Sequence, residues 1–317
     1  MIQPQKELCV AHLVRAHNGI APLKRFLDSY QTHPGGMEHD LLIVFKGFES
    51  PSEKDEYLKV LAPFQHYSLD VPDAGFDISA YFVVVQRYAA EYNYFCFLNS
   101  FSEILDSGWL SKLHHHISRP GVGLVGATGS WESHRLESFI LRDIFDVAQQ
   151  HYGVYKNKPF WRRAILGGTA ARDFYRSVDE GLWDNLGDYL LSLIYFQPFP
   201  NYHLRTNAFM ISSRVMSSLK CPVIKDKMDA YRFEGGRSGL TRQIMRKRMK
   251  VLVVGRDGGS YEKENWNTSS TFRRSEQKNL LVADNQTRDY QNGTSERREY
   301  LSGIAWGHES NIAQQEG

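Results

Sequence analysis

The sequence predicts an α/β protein in which a mainly parallel sheet carries helices on both faces. Strand and helix signals alternate through the first 130 residues in the order βαβαβαβ. Strands joined by helices in this way pair in parallel, and their helices cover both faces of the sheet. Hydrophobic residues make up 42% of the 317 residues and charged residues 23%, which excludes disordered, collagen-like and coiled-coil proteins.

Short apolar segments mark the strands. The predicted strands are residues 8–16, 40–45, 64–69, 94–98, 122–127, 207–212 and 250–254. The predicted helices of the first half are residues 21–31, 52–61, 78–92 and 109–117, and a later one is 239–248. The helix at 78–92 has the clearest pattern, since its apolar side chains recur at helical spacing as far as Tyr92. Ser52 is expected to cap the helix at 52–61.

Composition changes in the middle of the chain. Fifteen of the 72 residues from 131 to 202 are aromatic, about 21% against 13% overall, which indicates an aromatic-rich insertion with helices near 135–150 and 184–195. Trp131, Trp161 and Trp183 are candidates to face a cleft. The expected organisation is a ligand-binding half at 1–130, the insertion at 131–202, a second half at 203–260 and a polar C-terminal segment at 261–317.

The net charge and the hydropathy of the chain indicate whether it binds nucleic acid or membranes. The net charge is +2, with 38 basic and 36 acidic residues, so no general attraction to nucleic acid is expected. No apolar run approaches the length of about 20 residues that spans a bilayer, and the start of the chain lacks a cleavable apolar signal. The sequence therefore predicts a cytoplasmic protein. Peripheral contact of a basic run at 242–250 with an anionic membrane is left open.

Two motifs are set aside because their context is wrong. The glycines at 121–126 match G-x-G-x-x-G, but they follow a helix and alternate with strand residues, whereas a dinucleotide-binding loop follows a strand and opens a helix. The three histidines at 114–116 cannot close on one metal ion, because adjacent helical residues point about 100° apart.

Topology gives the first functional inference. Sheets of this kind often place strand 1 beside strand 4, and ligands bind where the strand order reverses, at the carboxyl ends of the strands. His17 and Asn18 follow strand 1, and Asn99 and Ser100 follow strand 4. Glu103 follows Ser100 by three residues. It either belongs to a plain turn or binds Mg²⁺ or Mn²⁺.

Other charged residues each allow a structural and a functional interpretation. Asp77 either caps the helix that follows it or holds a ligand at the sheet edge. Glu234 precedes a predicted helix start, where it is either a first-turn acid or a general base for an acceptor hydroxyl. Arg237 and Arg242 either face solvent or contact a diphosphate.

These segments resemble the GT-A nucleotide-sugar glycosyltransferases, most closely the family-two and rhamnan-synthesis-type enzymes. Residues 12–30 are similar to the family's first strand, donor-edge turn and first helix, and residues 73–78 to the element before its third helix. Residues 97–110 resemble the segment that carries the family's D-x-D motif, and residues 233–241 the acidic base motif before a helix.

The resemblance implies an inverting sugar transfer from a nucleotide-sugar donor to a glycan or other hydroxyl acceptor, in polysaccharide biosynthesis. Glu234 would be the base, while His17, Asn18, Asp77, Asn99, Ser100, Arg237 and Arg242 would bind the donor. The family's cofactor is Mn²⁺ or Mg²⁺, but Asn99 and Phe101 stand where its two aspartates would be. We therefore predict weak dependence on divalent ions. The alternatives are a non-catalytic sugar-nucleotide-binding or scaffolding protein and, less well matched, a nucleotidyltransferase.

Overall fold

The computed structural model describes residues 5–135 and 192–307. Within these residues eight strands form one sheet in the order β11–β10–β6–β9–β4–β1–β2–β3. Their bounds are β1 Lys6–Arg15, β2 Asp40–Lys46, β3 Tyr67–Val71, β4 Tyr92–Leu98, β6 Val122–Gly126, β9 Ala208–Ser212, β10 Lys250–Val254 and β11 Ser260–Tyr261. The predicted fold class, a mainly parallel sheet with helices on both faces, is confirmed.

Strand β1 lies between β2 and β4 and runs parallel to both, so the strand order reverses beside β1 as predicted. Its ladder with β4 ends at His12 opposite Leu98, whereas its ladder with β2 continues to Arg15 opposite Lys46. Strand β1 therefore extends three residues beyond the end of β4. This step exposes the chain that follows Leu98 at the carboxyl edge of the sheet.

Strand β9 is antiparallel to both of its neighbours, β4 and β6. Leu98 at the end of β4 pairs with Ala208 at the start of β9. Because β9 runs in the opposite direction, the two residues before it, Thr206 and Asn207, reach the edge where the parallel strands end.

The helices pack on the two faces. Their bounds are α1 Ala21–Thr32, α2 Asp55–Leu61, α3 Phe76–Tyr88, α4 Trp109–Ile117, α5 Ser213–Ser217, α6 Lys227–Gly235, α7 Leu240–Arg246, α8 Asn285–Asn292 and α9 Ser295–Trp306. Side chains of β4 alternate between the two cores. Phe95 and Phe97 pack with α3 on one face, while Cys96 and Leu98 pack with α1 and α4 on the other.

Three local predictions were wrong. Ser52 does not cap a helix, because it lies inside a 3-10 turn at Pro51–Lys54 that precedes α2. Tyr92 does not extend α3, which ends at Tyr88, and it begins β4 instead. Strand β3 begins three residues later than the apolar run suggested, since Phe64 still donates its backbone N–H to the Leu61 carbonyl at 2.9 Å.

The C-terminal segment contributes more to the core than its polar composition indicates. Trp266, Phe272 and Trp306 are buried, each at 1% exposure. A short strand, β12 (Val282–Ala283), pairs with β5 (Glu103–Ile104), and α8 and α9 follow it. Isolated aromatic residues show no helical or strand period, so the sequence pattern did not reveal this packing.

Contacts divide the chain into two compact units, residues 1–132 with 200–317 and residues 133–199. In the first unit, β7 (Gly129–Ser130) pairs with β8 (His203–Leu204). Trp161, Trp183 and most of the predicted helices of the insertion lie outside the described residues. Among the residues that are described, no helix combines the length and the hydropathy needed to cross a bilayer.

Candidate functional site at the carboxyl edge of the sheet

A buried lysine fixes the loop that follows β3. Lys46, the last residue of β2, is 1% exposed, and its Nζ donates to the carbonyl oxygens of Pro72 at 2.9 Å and Ala74 at 2.5 Å. Arg15, the last residue of β1, donates to Asp73 Oδ1 at 3.1 Å. The ends of β1, β2 and β3 are thereby held together by charged side chains.

Asp77 is not the N-cap of α3. Gly75 occupies that position with φ +68°, and Asp77 lies in the first turn. Its carboxylate makes no hydrogen bond within the described residues, and Arg15 Nη1 lies 3.9 Å away. Burial raises the pKa of Asp77, the charges of Arg15 and Lys46 oppose this rise, and Glu234 adds to it. Asp77 therefore presents carboxylate oxygens that the fold itself does not use.

The turn after β1 places His17 at the same edge. Ala16–Asn18 form a 3-10 turn directly after Arg15, with His17 exposed and Asn18 half-buried. His17 and Asp73 follow the carboxyl ends of β1 and β3, which lie at the same edge of the sheet.

Asn99 organises the turn after β4. Its backbone N–H donates to the Asn207 carbonyl at 2.8 Å, and its Oδ1 accepts from the Phe101 backbone N–H at 3.0 Å and the Ser102 hydroxyl at 3.1 Å. Only the amide Nδ2 of Asn99 has no partner within the described residues. Ser100 is 4% exposed and therefore offers little surface to a ligand.

A second amide lies beside Asn99. Asn207 is buried, and its Oδ1 accepts from Thr128 Oγ1 at 2.8 Å, while its Nδ2 is buried with no partner in the described structure. The edge between β4 and β9 therefore carries amide donors that the fold leaves unused.

Glu103, which the sequence offered as a metal ligand, is engaged in ion pairs. Its Oε2 accepts from Arg288 Nη1 at 2.9 Å, and Arg25 Nε lies 3.9 Å away. Arg288 also donates to the Phe101 carbonyl at 3.0 Å. The carboxylate thus ties β5 to α1 and α8.

The side-chain oxygens that follow β4 are already engaged and do not fit a divalent cation. Such ions favour free carboxylate and carbonyl oxygens. Asp106 is paired with Lys112, and the Asn99 Oδ1 already accepts two hydrogen bonds. Across residues 5–135 and 192–307, no three His, Cys, Asp or Glu side chains are grouped to hold a metal ion. We derive no step through a metal.

Glu234 precedes α7 as predicted, but it is not a first-turn acid. It is the penultimate residue of α6, which ends just before α7 begins. Thr206 holds its Oε2, with the hydroxyl donating at 2.6 Å and the backbone N–H at 3.3 Å. His203 Nε2 lies 3.9 Å from Oε1. An acid at this end of a helix is disfavoured by the helix dipole, so its position carries a stability cost.

Tyr81 connects Glu234 to Asp77. It is buried one helical turn after Asp77, and its hydroxyl donates to the Thr206 carbonyl at 3.5 Å. Burial raises the pKa of Tyr81, and the charges of Asp77 and Glu234 raise it further. Tyr81 thus lies one helical turn from Asp77 and is hydrogen-bonded to Thr206, the residue that holds Glu234, where β4 ends and β9 begins.

Sequence patterns missed several of these residues. Arg15, Lys46 and Thr206 were not selected as site residues, although each is the polar residue at or near the end of a buried strand that reaches the ligand-binding edge. Lys46 closes the apolar run of β2, which was an available signal. Thr206 could be placed only once β9 was known to run antiparallel.

Arg237 lies between α6 and α7, and Arg242 lies on α7. Arg242 Nη2 donates to Asn201 Oδ1 at 3.4 Å, and Asn201 Nδ2 donates to the Gly235 carbonyl at 2.7 Å. They therefore lie on the side of the site formed by α6 and α7. Trp131 is buried at 9% exposure, and its Nε1 donates to the Lys263 carbonyl at 2.9 Å.

No family model matches the chain, and no curated protein is significantly similar to it in sequence. Solved structures that are similar over part of it include the mannosyltransferase PcManGT from Pyrobaculum calidifontis, in complex with GDP-Man and Mn²⁺, at 11% identity and a TM-score of 0.32, covering 39% of this chain and 35% of that one. GalNAc-T7 with UDP, GalNAc and Mn²⁺ is 14% identical with a TM-score of 0.31, covering 39% and 23%.

TarS from S. aureus is 11% identical with a TM-score of 0.30, covering 38% of this chain and 34% of that one. A 4-diphosphocytidyl-2C-methyl-D-erythritol synthase from Anaerococcus prevotii is also 11% identical with a TM-score of 0.30, covering 40% and 56%. In each case the match spans less than two thirds of the other protein's chain.

Proposed function

We propose that this protein is a glycosyltransferase that moves a sugar from a nucleotide-sugar donor to a hydroxyl acceptor. One observation carries the proposal. Thr206 orients Glu234 and also accepts the hydrogen bond of Tyr81, and Asp77, one helical turn before Tyr81, makes no hydrogen bond within the described residues. That edge, beside the strand-order reversal at β1, is where α/β sheets of this topology bind nucleotides.

On the donor side, Asp77 accepts hydrogen bonds from the ribose or the base. Its oxygens make no hydrogen bond within the described part of the protein, and Arg15 keeps a positive charge 3.9 Å away. His17 and Asn18 line the nucleotide edge. Arg15 supplies positive charge to the diphosphate, while the Nδ2 group of Asn99 donates to its oxygens.

On the acceptor side, Glu234 accepts the proton of the attacking hydroxyl. The acceptor oxygen forms a bond to the anomeric carbon, and the bond from that carbon to the diphosphate oxygen breaks with its electron pair, which inverts the configuration. General-base catalysis contributes about 10²–10⁴-fold to such a step. The Thr206 hydroxyl fixes Oε2, which leaves Oε1 to take the proton. We assign the reaction to polysaccharide assembly on the sequence resemblance alone.

A panel of UDP-, GDP-, dTDP- and CDP-sugars in a thermal-shift assay identifies the donor, and Glu234→Gln then tests the base. Gln keeps the size and the acceptor oxygen but lacks basicity. We expect the variant to bind the donor normally and to lose transfer by about 10²-fold or more. Asp229→Asn is the matched control, because Asp229 sits in the first turn of the same helix and accepts from the Lys225 backbone N–H at 3.0 Å.

Two outcomes would contradict the proposal. Unchanged turnover in Glu234→Gln eliminates Glu234 as the base. Donor binding without transfer, and without slow hydrolysis of the donor by water, indicates instead the sugar-nucleotide-binding scaffold.

A further inference from the structure

Three arginines at the junction of α6 and α7 carry charges that the fold does not neutralise. Arg237 follows α6, while Arg242 and Arg246 lie on α7. None of them forms an ion pair within the described residues, and Arg242 has a single hydrogen bond, to Asn201. The Nε of Arg242 is buried and has no partner there. Burial lowers the pKa of Arg242, and the charges of Arg237 and Arg246 lower it further.

The cluster borders the residue proposed as the base. Arg237 is three residues beyond Glu234. Arg242 holds Asn201, which in turn donates to the carbonyl of Gly235, the residue next to Glu234. Tyr202 lies on the same side, and Lys263 Nζ sits 5.4 Å from the centre of its ring. Within the described residues, Arg237 and Arg242 therefore place positive charge without an acidic partner close to Glu234.

An in-line displacement keeps the general base and the leaving diphosphate apart. The base and the leaving diphosphate lie on opposite sides of the anomeric carbon, so cations next to Glu234 cannot also hold the leaving group. We propose that Arg237, Arg242 and Arg246 form a subsite for a phosphate group carried by the acceptor. This rests on the proposed function, and it moves Arg237 and Arg242 from the donor to the acceptor.

The chemistry of the cluster favours phosphate. Guanidinium groups bind phosphate oxygens through paired N–H donors and are only weakly hydrated. Three of them that form no ion pair in the described part of the chain match an anion of more than one charge. The phosphate is borne either by a soluble or polymeric ester or by a lipid headgroup, and both present the same oxygens.

Calorimetric titration with glycerol 3-phosphate tests the subsite, and glycerol is the neutral reference. We expect saturable binding of the ester that weakens as salt rises, and loss of affinity of at least about tenfold in Arg237→Gln/Arg242→Gln. The control, Lys247→Gln/Arg248→Gln, removes the same charge from the adjacent exposed residues. It should change the affinity by less than about twofold.

A competition experiment shows whether the arginines belong to the acceptor site or to the donor site. With the protein saturated by the nucleoside diphosphate that it binds, glycerol 3-phosphate should bind with unchanged affinity. Displacement of one by the other would place the arginines in the donor site and overturn the inference.

Vesicle flotation separates the two sources of phosphate. Binding only to phosphatidylglycerol vesicles, lost in the double variant and absent with phosphatidylcholine, identifies a lipid-borne phosphate. Equal binding of ester and vesicles by wild type and double variant overturns the inference.

None of these measurements requires turnover. Binding of a nucleotide sugar without binding of any phosphate ester or vesicle defeats this inference alone. If the protein binds the ester but no nucleotide sugar, the proposed function is wrong. The cluster then binds phosphate but is not part of an acceptor site.

Discussion

The Thr206 hydroxyl donates a 2.6 Å hydrogen bond to Glu234 Oε2, joining the start of an antiparallel strand to the end of a helix 28 residues away. The same carboxylate oxygen accepts from the Thr206 backbone N–H. The bond fixes an acid at a helix end where the dipole disfavours it. It defines which oxygen of Glu234 is held and which is free.

Removing that hydroxyl should impair turnover more than binding. Thr206→Val keeps the shape of the side chain but leaves the carboxylate oriented only by the weaker backbone contact. We expect kcat to fall about tenfold or more, since a lost hydrogen bond to a charged group is worth about 1.5–3 kcal/mol, while the Kd for the donor stays within about twofold. Steady-state kinetics and donor titration measure the two effects.

Thr206→Ser is the control, because it retains the donating oxygen. Its kcat should stay close to that of the wild type. A donor Kd that rises in step with the fall in kcat of the Val variant would show that Thr206 supports the fold of the site as a whole.

The buried pair of Arg205 and Asp284 should dominate acid sensitivity. Arg205 Nη2 donates to Asp284 Oδ2 at 2.8 Å, with both side chains buried. Burial alone raises the pKa of Asp284, but the charge of Arg205 and the hydrogen bonds from Thr287 and Arg205 outweigh it, so the pKa lies below its ordinary range. The stabilisation is present above the unfolded pKa of about 3.9 and is lost as pH falls through that value towards the folded pKa.

Asp284→Asn should cost about 3–5 kcal/mol of unfolding free energy near neutral pH, because it leaves Arg205 buried and unpaired. Asn still caps α8, so the loss reports the ion pair. Asp289→Asn removes a carboxylate from the exposed pair with Arg297 and should cost less than about 1 kcal/mol. Denaturant unfolding from neutral to acidic pH measures these free energies. If the stability of Asp284→Asn falls with pH as steeply as that of the wild type, the ion pair is not the source of acid sensitivity.

Gly75 should control the position of Asp77. Its φ is +68°, and a Cβ there would lie 1.6 Å from Ser79 Oγ. Gly121 provides the reference, since its φ is +80° but a Cβ would meet nothing within 4 Å. Gly121→Ala should cost about 1–2 kcal/mol from backbone strain alone.

Gly75→Ala should add about 1–3 kcal/mol from overpacking, and it should also weaken donor binding by displacing the first turn of α3. Thermal unfolding and donor titration measure these effects. Equal destabilisation by the two variants, with donor affinity intact, would show that the turn relaxes without moving Asp77.

Chelation should leave donor binding nearly unchanged. The oxygens after β4 are already used, with Asn99 Oδ1 accepting two hydrogen bonds and Glu103 paired with Arg288. We expect the donor Kd to change by less than about twofold between EDTA and Mn²⁺. A large Mn²⁺ effect that disappears in Glu103→Gln would show that Glu103 leaves Arg288 to bind the ion.

The sequence by itself determined the fold class and most of the strand positions. Strand and helix periods are local properties, and β10 (Lys250–Val254) and α4 (Trp109–Ile117) have the bounds that the pattern predicts. The placement of the turns after β1 and β4 at one edge followed from a general rule of parallel sheets, which requires only the order of elements.

Only the tertiary structure decided which charged side chains are used in ion pairs within the fold and which are left for a ligand. Glu103 and Arg288 are 185 residues apart, and Arg205 and Asp284 are 79 apart, so no local pattern pairs them. The glycines after Glu234 precede α7 as predicted, but they also end α6, a helix that the sequence pattern did not reveal and that carries Glu234 to Thr206. Such contacts depend on how distant elements pack, and a carboxylate used in an ion pair looks the same in sequence as one left free for a ligand.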